Sequence, residues 1–166
     1  ERARTMQHED AQSWDKRLTP LMGLAGIPVL LIAGLDELMG WSPSFSMPVK
    51  IVALVIMVVG YALSSYALIE NRFFSNAVRL QTDRGQTVVS SGPYRWMRHP
   101  GYAGALLVYL VTPVFLDSAL AYLPTLLVIG LYVIRTSLED RFLQEELAGY
   151  RDYAKRVRYR LLPGIW

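Results

Sequence analysis

Val49-Lys50-Ile51-Val52-Ala53-Leu54-Val55-Ile56-Met57-Val58-Val59-Gly60-Tyr61-Ala62-Leu63-Ser64-Ser65-Tyr66-Ala67-Leu68-Ile69 decides the fold. One charge, Lys50, stands near its start. About 20 apolar residues suffice for an α-helix to cross a hydrocarbon layer of about 30 Å. Gly60, Ala62, Ser64 and Ser65 are small, so a second helix can approach closely along that face. On the N-terminal side a second apolar run, Pro20 to Leu35, ends at Asp36 and Glu37. Met39-Gly40-Trp41-Ser42-Pro43 then reads as a turn at an interface. On the C-terminal side lie two shorter apolar runs, 102–116 and 119–134, divided by Leu116-Asp117-Ser118. Each has about 15 residues, or about 23 Å of helix, so they predict a tight hairpin whose arms Pro113 and Pro124 bend.

Residues 136–158 predict an amphipathic helix leaving the membrane, because Leu138, Phe142, Leu143, Leu147, Tyr150 and Ala154 recur at three- and four-residue spacing. The tail Leu161-Leu162-Pro163-Gly164-Ile165-Trp166 is expected to return to the interface, where Trp is favoured. Thr87-Val88-Val89 is β-prone but too short and isolated to define a sheet. The expected fold is therefore all-α and polytopic, with a C-terminal helical hairpin followed by a cytoplasmic amphipathic helix. It divides into a polar N-terminal segment (1–19), two transmembrane helices (20–69) and a C-terminal core (70–166). The chain opens at Glu1 rather than at a methionine, so the number of spans is a lower bound.

Composition agrees. Hydrophobic residues make up 52% of the 166 and charged residues 19%, too apolar a balance for an ordinary soluble domain. There is no cysteine, which excludes disulfides and thiolate metal sites. The 17 Lys and Arg residues are segregated: four lie in 1–19, five in 70–101 and seven in 135–166, with Lys50 alone elsewhere and close enough to a helix end to snorkel. The turns 36–47 and 117–118 hold neither. Four spans with both termini on one side gather the basic segments, and the positive-inside rule places that side in the cytoplasm.

The segment richest in chemistry is Gly92-Pro93-Tyr94-Arg95-Trp96-Met97-Arg98-His99-Pro100-Gly101-Tyr102-Ala103-Gly104. Pro100 disfavours the helical region at His99, so the imidazole is presented from a turn at the hairpin's mouth. Gly101 and Gly104 leave room for a backbone or ligand. Taken alone, the segment equally suits an interfacial anchor followed by a Pro helix start. Across the hairpin, Arg135-Thr136-Ser137-Leu138-Glu139-Asp140 places Arg135 and Glu139 at i and i+4 on one helix face. Taken alone that is an ordinary surface pair. The short turn at 117–118 returns Arg135 to the level of His99–Tyr102, so the two polar clusters are expected to converge at one interface.

Taken together, Ser91-Gly92-x-Tyr94-x-Trp96-x-Arg98-His99-Pro100-x-Tyr102-x-Gly104, a hairpin, Arg135-Thr136-x-x-Glu139-Asp140 and Tyr150-Arg151-Asp152-Tyr153-x-Lys155-Arg156-Val157 resemble the isoprenylcysteine carboxyl methyltransferase family. Related phospholipid methyltransferases share parts of the pattern. The resemblance covers roughly 70–163, and its pieces are specific only as a set. It implies an integral membrane methyltransferase that uses S-adenosylmethionine. The cofactor pocket it implies comprises Gln86, Thr87, Val88, Val89, Tyr94, His99, Pro100, Gly101, Tyr102 and Glu139. Arg135 would address the substrate carboxylate, and Arg135 and Glu139 would be the catalytic pair. Three positions depart from the pattern. Gln86 stands where members that methylate prenylated proteins can carry His, Asp140 where a second Glu is common, and Leu147 where Gly often precedes the final Tyr-x-x-Tyr.

The residue types suit this chemistry. An acceptor carboxylate is ionised near pH 7 and needs no general base, and an arginine can hold it through two parallel hydrogen bonds. An amine or thiol acceptor requires deprotonation, for which His99 or Glu139 are the candidates. The expected partners are the bilayer and a lipophilic or small methyl acceptor, with the site and both termini on the cytoplasmic side. Three rivals are a phospholipid N-methyltransferase, an NADPH-dependent sterol-type reductase and a non-catalytic membrane scaffold. The basic run from Arg151 to Arg160 fits anionic lipid better than nucleic acid, which is not an expected partner. His8 sits in the polar N-terminal segment beside no partner that spacing identifies. No zinc spacing, Walker A motif or dinucleotide fingerprint occurs, and no metal is expected.

Overall fold

The computed structural model describes residues 11–166. Residues 1–10, including His8 and the start of the expected N-terminal segment, lie outside the described residues. Among the described residues the protein is all-helical, with no strand. Its helices are α1 (Asp15–Met39), α2 (Met47–Glu70), α3 (Pro100–Phe115), α4 (Tyr122–Glu146) and α5 (Tyr150–Arg156). Three of them, α1, α2 and α4, are long and apolar enough to cross a membrane, while α3 has 16 residues. Leucines, valines and isoleucines cover the outer faces of α1 and α2, which are exposed in the isolated chain as a lipid-facing surface would be.

Two pairings build the bundle. α3 packs along α2, and α1 packs along α4, with α3 and α4 joining the pairs. The α2–α3 contact depends on the absence of side chains. A Cβ on Gly60 would stand 2.7 Å from the Gly104 carbonyl oxygen, and one on Gly104 would collide with that of Gly60 and with Ser64. Ser64 Oγ fills the remaining gap and donates to the Gly101 carbonyl at 3.0 Å. Of the small residues expected to admit a neighbour on α2, Gly60 and Ser64 do so, against the Gly-rich start of α3, while Ala62 and Ser65 are exposed.

At one end the turns are tied by two carboxylates. Asp36, buried, accepts from the Ser42 backbone N–H at 2.7 Å, from Ser42 Oγ at 2.6 Å and from Ser118 Oγ. Asp117, in the α3–α4 turn, pairs with Lys50 and accepts from the Phe45 N–H. Lys50 is thus engaged in an ion pair across the turn, a more specific role than snorkelling.

Two boundaries differ from the expected ones. α1 begins at Asp15 rather than Pro20. The second arm of the hairpin does not stop at Arg135; α4 runs unbroken for 25 residues to Glu146. The amphipathic segment is therefore the end of α4, then a break at 147–149, then the short α5. The physical reason is local. Residues 135–146 are good helix formers without Gly or Pro, and charge alone does not end a helix. The break comes at Gly149, whose φ of 82° suits a residue without a side chain. Thr87-Val88-Val89 forms no strand.

Candidate active site

The site lies at the end opposite the Asp36 and Asp117 ties, where all the described basic segments meet. Its base is the start of α3. Here His99 caps the helix from a non-helical conformation (φ −126°, ψ 60°) and Pro100 opens it. The backbone N–H groups of Arg98 and His99 donate to the carbonyls of Tyr159 and Arg160 at 2.9 and 2.8 Å, so the tail is laid against this turn. The stretch 71–89 folds over it. Asn71 accepts from the Phe73 N–H, Gln81 Nε2 donates to the Phe73 carbonyl, and the Gln86 side-chain oxygen accepts from the Gln81 N–H at 2.7 Å.

These pieces enclose a cleft with about 800 Å³ of space, part of it open to solvent. Gln86, Thr87, Val88, Val89, Tyr94, His99, Gly101, Tyr102 and Glu139 all line it, drawn from segments far apart in the chain. Pro100 does not line it; it is fully buried behind the turn and acts by shaping it. Phe73, Phe74, Leu143, Tyr150 and Tyr153 add aromatic and apolar walls that were not expected in the pocket. The lining thus mixes apolar and aromatic walls with convergent polar groups that can orient a small molecule.

Tyr102 is central. Its hydroxyl donates to Glu139 Oε2 at 2.6 Å, and its ring lies nearly parallel to His99 with centroids 5.8 Å apart. The guanidinium carbon of Arg135 lies 5.5 Å from the same ring. Arg135 does not line the cleft, and it does not pair with Glu139. Its Nε donates to Asp15 Oδ1 at 3.0 Å and its Nη2 to the Asn76 carbonyl. Shared helix face is necessary for an i, i+4 pair, but each residue here has found a better partner on another element. Among the described residues Arg135 Nη1 has no hydrogen-bond partner, so part of the guanidinium stays uncommitted.

Asp140 is the centre that sequence reasoning missed. It is 0% exposed. Arg98 donates to both its oxygens, at 2.6 and 2.9 Å, and Arg160 donates to it at 2.9 Å. Gln144 and the Tyr150 hydroxyl donate as well, and His99 Nε2 lies 3.3 Å away. Burial alone would lower the affinity of Arg98 for its proton, but the bidentate bond to Asp140 outweighs it and the net direction is up. The available signal was an acid among arginines, with no other acid able to serve both Arg98 and Arg160. Burial also pushes the Tyr94 hydroxyl up to about 12, only partly offset by its hydrogen bond from Asn71. Tyr94 is therefore neutral near pH 7 and structural at its tip, where it donates to the Ala67 carbonyl.

No group of His, Asp and Glu among the described residues is arranged to hold a metal ion. A bundle of apolar helices that carries, at its basic end, a cleft built on a His-Pro-x-Tyr turn defines the class as a polytopic helical membrane protein. The isoprenylcysteine carboxyl methyltransferase family model matches residues 51–145, more than half of the chain, and the chain belongs to that family. It is 29% identical over 112 residues to a rice (Oryza sativa subsp. indica) protein named probable protein-S-isoprenylcysteine O-methyltransferase, covering 66% of this chain and 59% of that one. It is 27% identical over 107 residues to Arabidopsis thaliana protein-S-isoprenylcysteine O-methyltransferase B, covering 63% and 54%. A mouse Delta(14)-sterol reductase is 25% identical over 155 residues, covering 86% of this chain and 37% of the reductase. The chain thus spans a little over half the length of the plant relatives it matches.

Proposed function

We propose that this chain is an integral membrane methyltransferase that takes its methyl group from S-adenosylmethionine and passes it to a lipid-like acceptor bearing a carboxylate, by its relatives' names an isoprenylcysteine. One observation carries the reading. The 86–89 segment, Tyr94, the His99–Tyr102 turn and Glu139 line a single cleft, with Arg135 just beyond Tyr102.

The lining suits the cofactor. Aromatic and valine walls suit a purine and ribose, and a carboxylate fixed by Tyr102 suits a ligand that is cationic at sulfur and at its amine. The cofactor, when bound, supplies an electrophilic methyl on a positively charged sulfur. The protein's part is positioning. Glu139, held by Tyr102, offsets cationic charge. His99, within reach of Asp140, keeps the turn in place. Arg135 is anchored on α1 by Asp15 and presents its remaining N–H groups to the acceptor carboxylate. That carboxylate is ionised near pH 7 and requires no base, so the absence of a dedicated proton relay at Arg135 suits it.

The breadth of the mouse reductase match favours a second reading, an NADPH-dependent reductase. The cleft argues against it. Among the described residues two arginines line it: Arg98 is locked to buried Asp140 and Arg79 is paired with Asp83, so neither guanidinium stands free for a 2′-phosphate. Calorimetry on the detergent-purified chain separates the two. Micromolar binding of S-adenosylhomocysteine without NADPH binding is expected; NADPH binding alone would replace the methyltransferase reading with the reductase one.

A further inference from the structure

A second concavity lies at the same end of the bundle, outside the cleft, between the Arg95–Trp96 segment and the Arg156–Tyr159 segment. The two segments run side by side because the Arg98 N–H donates to the Tyr159 carbonyl and Arg98 Nη1 donates to the carbonyls of Val157 and Arg158. Three guanidinium groups, Arg95, Arg156 and Arg158, line the groove, and among the described residues no carboxylate does. Among the described residues the side chains of Arg95 and Arg158 have no hydrogen-bond or ion-pair partner. Asp152, the acid on α5, pairs with Lys155 at 2.8 Å. Trp96 is 63% exposed and Tyr159 is exposed beside it.

Position supplies the second half of the argument. Tyr94 bonds the Ala67 carbonyl in the last turn of α2, and Pro100 opens α3, so Trp96 stands at the level where both helices end. That level is the membrane interface for any bundle with these apolar helices, and an indole there rests among headgroups. Exposed arginines with no carboxylate beside them, next to an exposed Trp at that depth, leave their charge available to a ligand of opposite sign. We infer that this groove binds the phosphate of an anionic phospholipid from the adjoining leaflet, with Arg95, Arg156 and Arg158 holding the phosphate and Trp96 resting beside the glycerol backbone. A zwitterionic headgroup would bring its own cation against the three arginines. The groove walls continue into Arg98, His99 and Arg160, so the lipid would sit on the two segments that carry the candidate active site.

The test is native mass spectrometry of the full chain released from micelles doped with phosphatidylglycerol or phosphatidylcholine. Retention of one phosphatidylglycerol, with phosphatidylcholine lost, is expected. Arg95→Gln and Arg158→Gln, singly, should each lower that retention about fivefold, the effect of removing one basic group facing an anionic surface. Arg141→Gln, on the exposed face of α4, should not change it. Both substituted side chains are unpaired, and an unchanged unfolding temperature verifies that each variant is folded. Equal retention of the two lipids, or equal loss in the Arg141→Gln control, would overturn the site. Displacement of the lipid by an equimolar amount of inorganic phosphate would assign the groove to a soluble anion and overturn the lipid reading.

Discussion

Tyr102 on α3 and Glu139 on α4 meet across the hairpin through a 2.6 Å hydrogen bond, and the guanidinium of Arg135, anchored by Asp15, lies 5.5 Å from the same Tyr102 ring. The hydroxyl donates to an acid, the stronger type of hydrogen bond. It fixes the only carboxylate that lines the cleft among the described residues.

Glu139→Gln keeps an oxygen for the Tyr102 hydroxyl and removes the charge. If the carboxylate faces a cationic ligand, the variant should bind S-adenosylhomocysteine about tenfold more weakly, or about 1.4 kcal/mol, by titration calorimetry. Tyr102→Phe keeps the charge but frees the side chain, and should show a smaller loss. Unchanged affinity in both variants would remove Glu139 from the pocket.

Arg135 has two roles that one substitution confounds. Arg135→Ala leaves buried Asp15 without its partner, a change that costs about 3–5 kcal/mol in buried pairs. The double variant Arg135→Ala/Asp15→Asn removes both charges and should recover most of the lost thermal stability while remaining inactive, with cofactor affinity nearly unchanged. Recovery of turnover in the double variant would show that Arg135 acts only through Asp15.

The α2–α3 contact predicts that Gly104→Leu destabilises strongly. Overpacking costs about 1–3 kcal/mol even where neighbours can shift, and here the obstacle is the backbone of Gly60. Gly130→Ala is the control. Nothing lies within 4 Å of a Cβ there, and α4 should gain slightly from the exchange. Unfolding temperatures in micelles of one detergent would check both.

Lys50 and, less strongly, the Phe45 N–H hold the Asp117 carboxyl below the usual carboxylate range. The folded pKa is depressed, so the stabilisation is present above the unfolded value of about 3.9 and is lost as pH falls through the folded value. Asp117→Asn should therefore unfold at a lower temperature than the unmodified chain near neutral pH, and the gap should close only below about pH 4. A gap that persists at lower pH would mean that the side-chain charge is not the source.

A reporter fused after Trp166 and another inserted beside Arg84, in the exposed 82–85 turn, should both report the cytoplasm. Opposite sides would break the four-span arrangement, which depends on α3 crossing with only 16 residues.

Much of the fold was legible because the signals are local or additive. The run from Val49 to Ile69 needs no partner to be recognised, and Gly101 and Gly104 announce close approach before its target is known. The cleft's members were legible only as a set, through the family pattern. What sequence could not convey is partner choice. Arg135 has an acid four residues away and instead uses Asp15, 120 residues distant, because the α1–α4 packing brings that one nearer. Asp140 read only as a departure from a second Glu, since the arginines that converge on it come from the α3 turn and from the tail. The continuation of α4 past Arg135 was obscured by treating the change from apolar to charged residues as the end of a helix.

Asp140 also constrains how this protein can drift. Loss of the Asp140 charge alone leaves the buried Arg98 guanidinium without its carboxylate, so only an exchange that keeps an acid there, such as glutamate, avoids stranding a buried charge. Arg160, a third of its side chain exposed, is freer. An acid at position 140 should therefore be lost only together with Arg98 among sequences descended from a common ancestor, a linked inheritance between residues 42 positions apart.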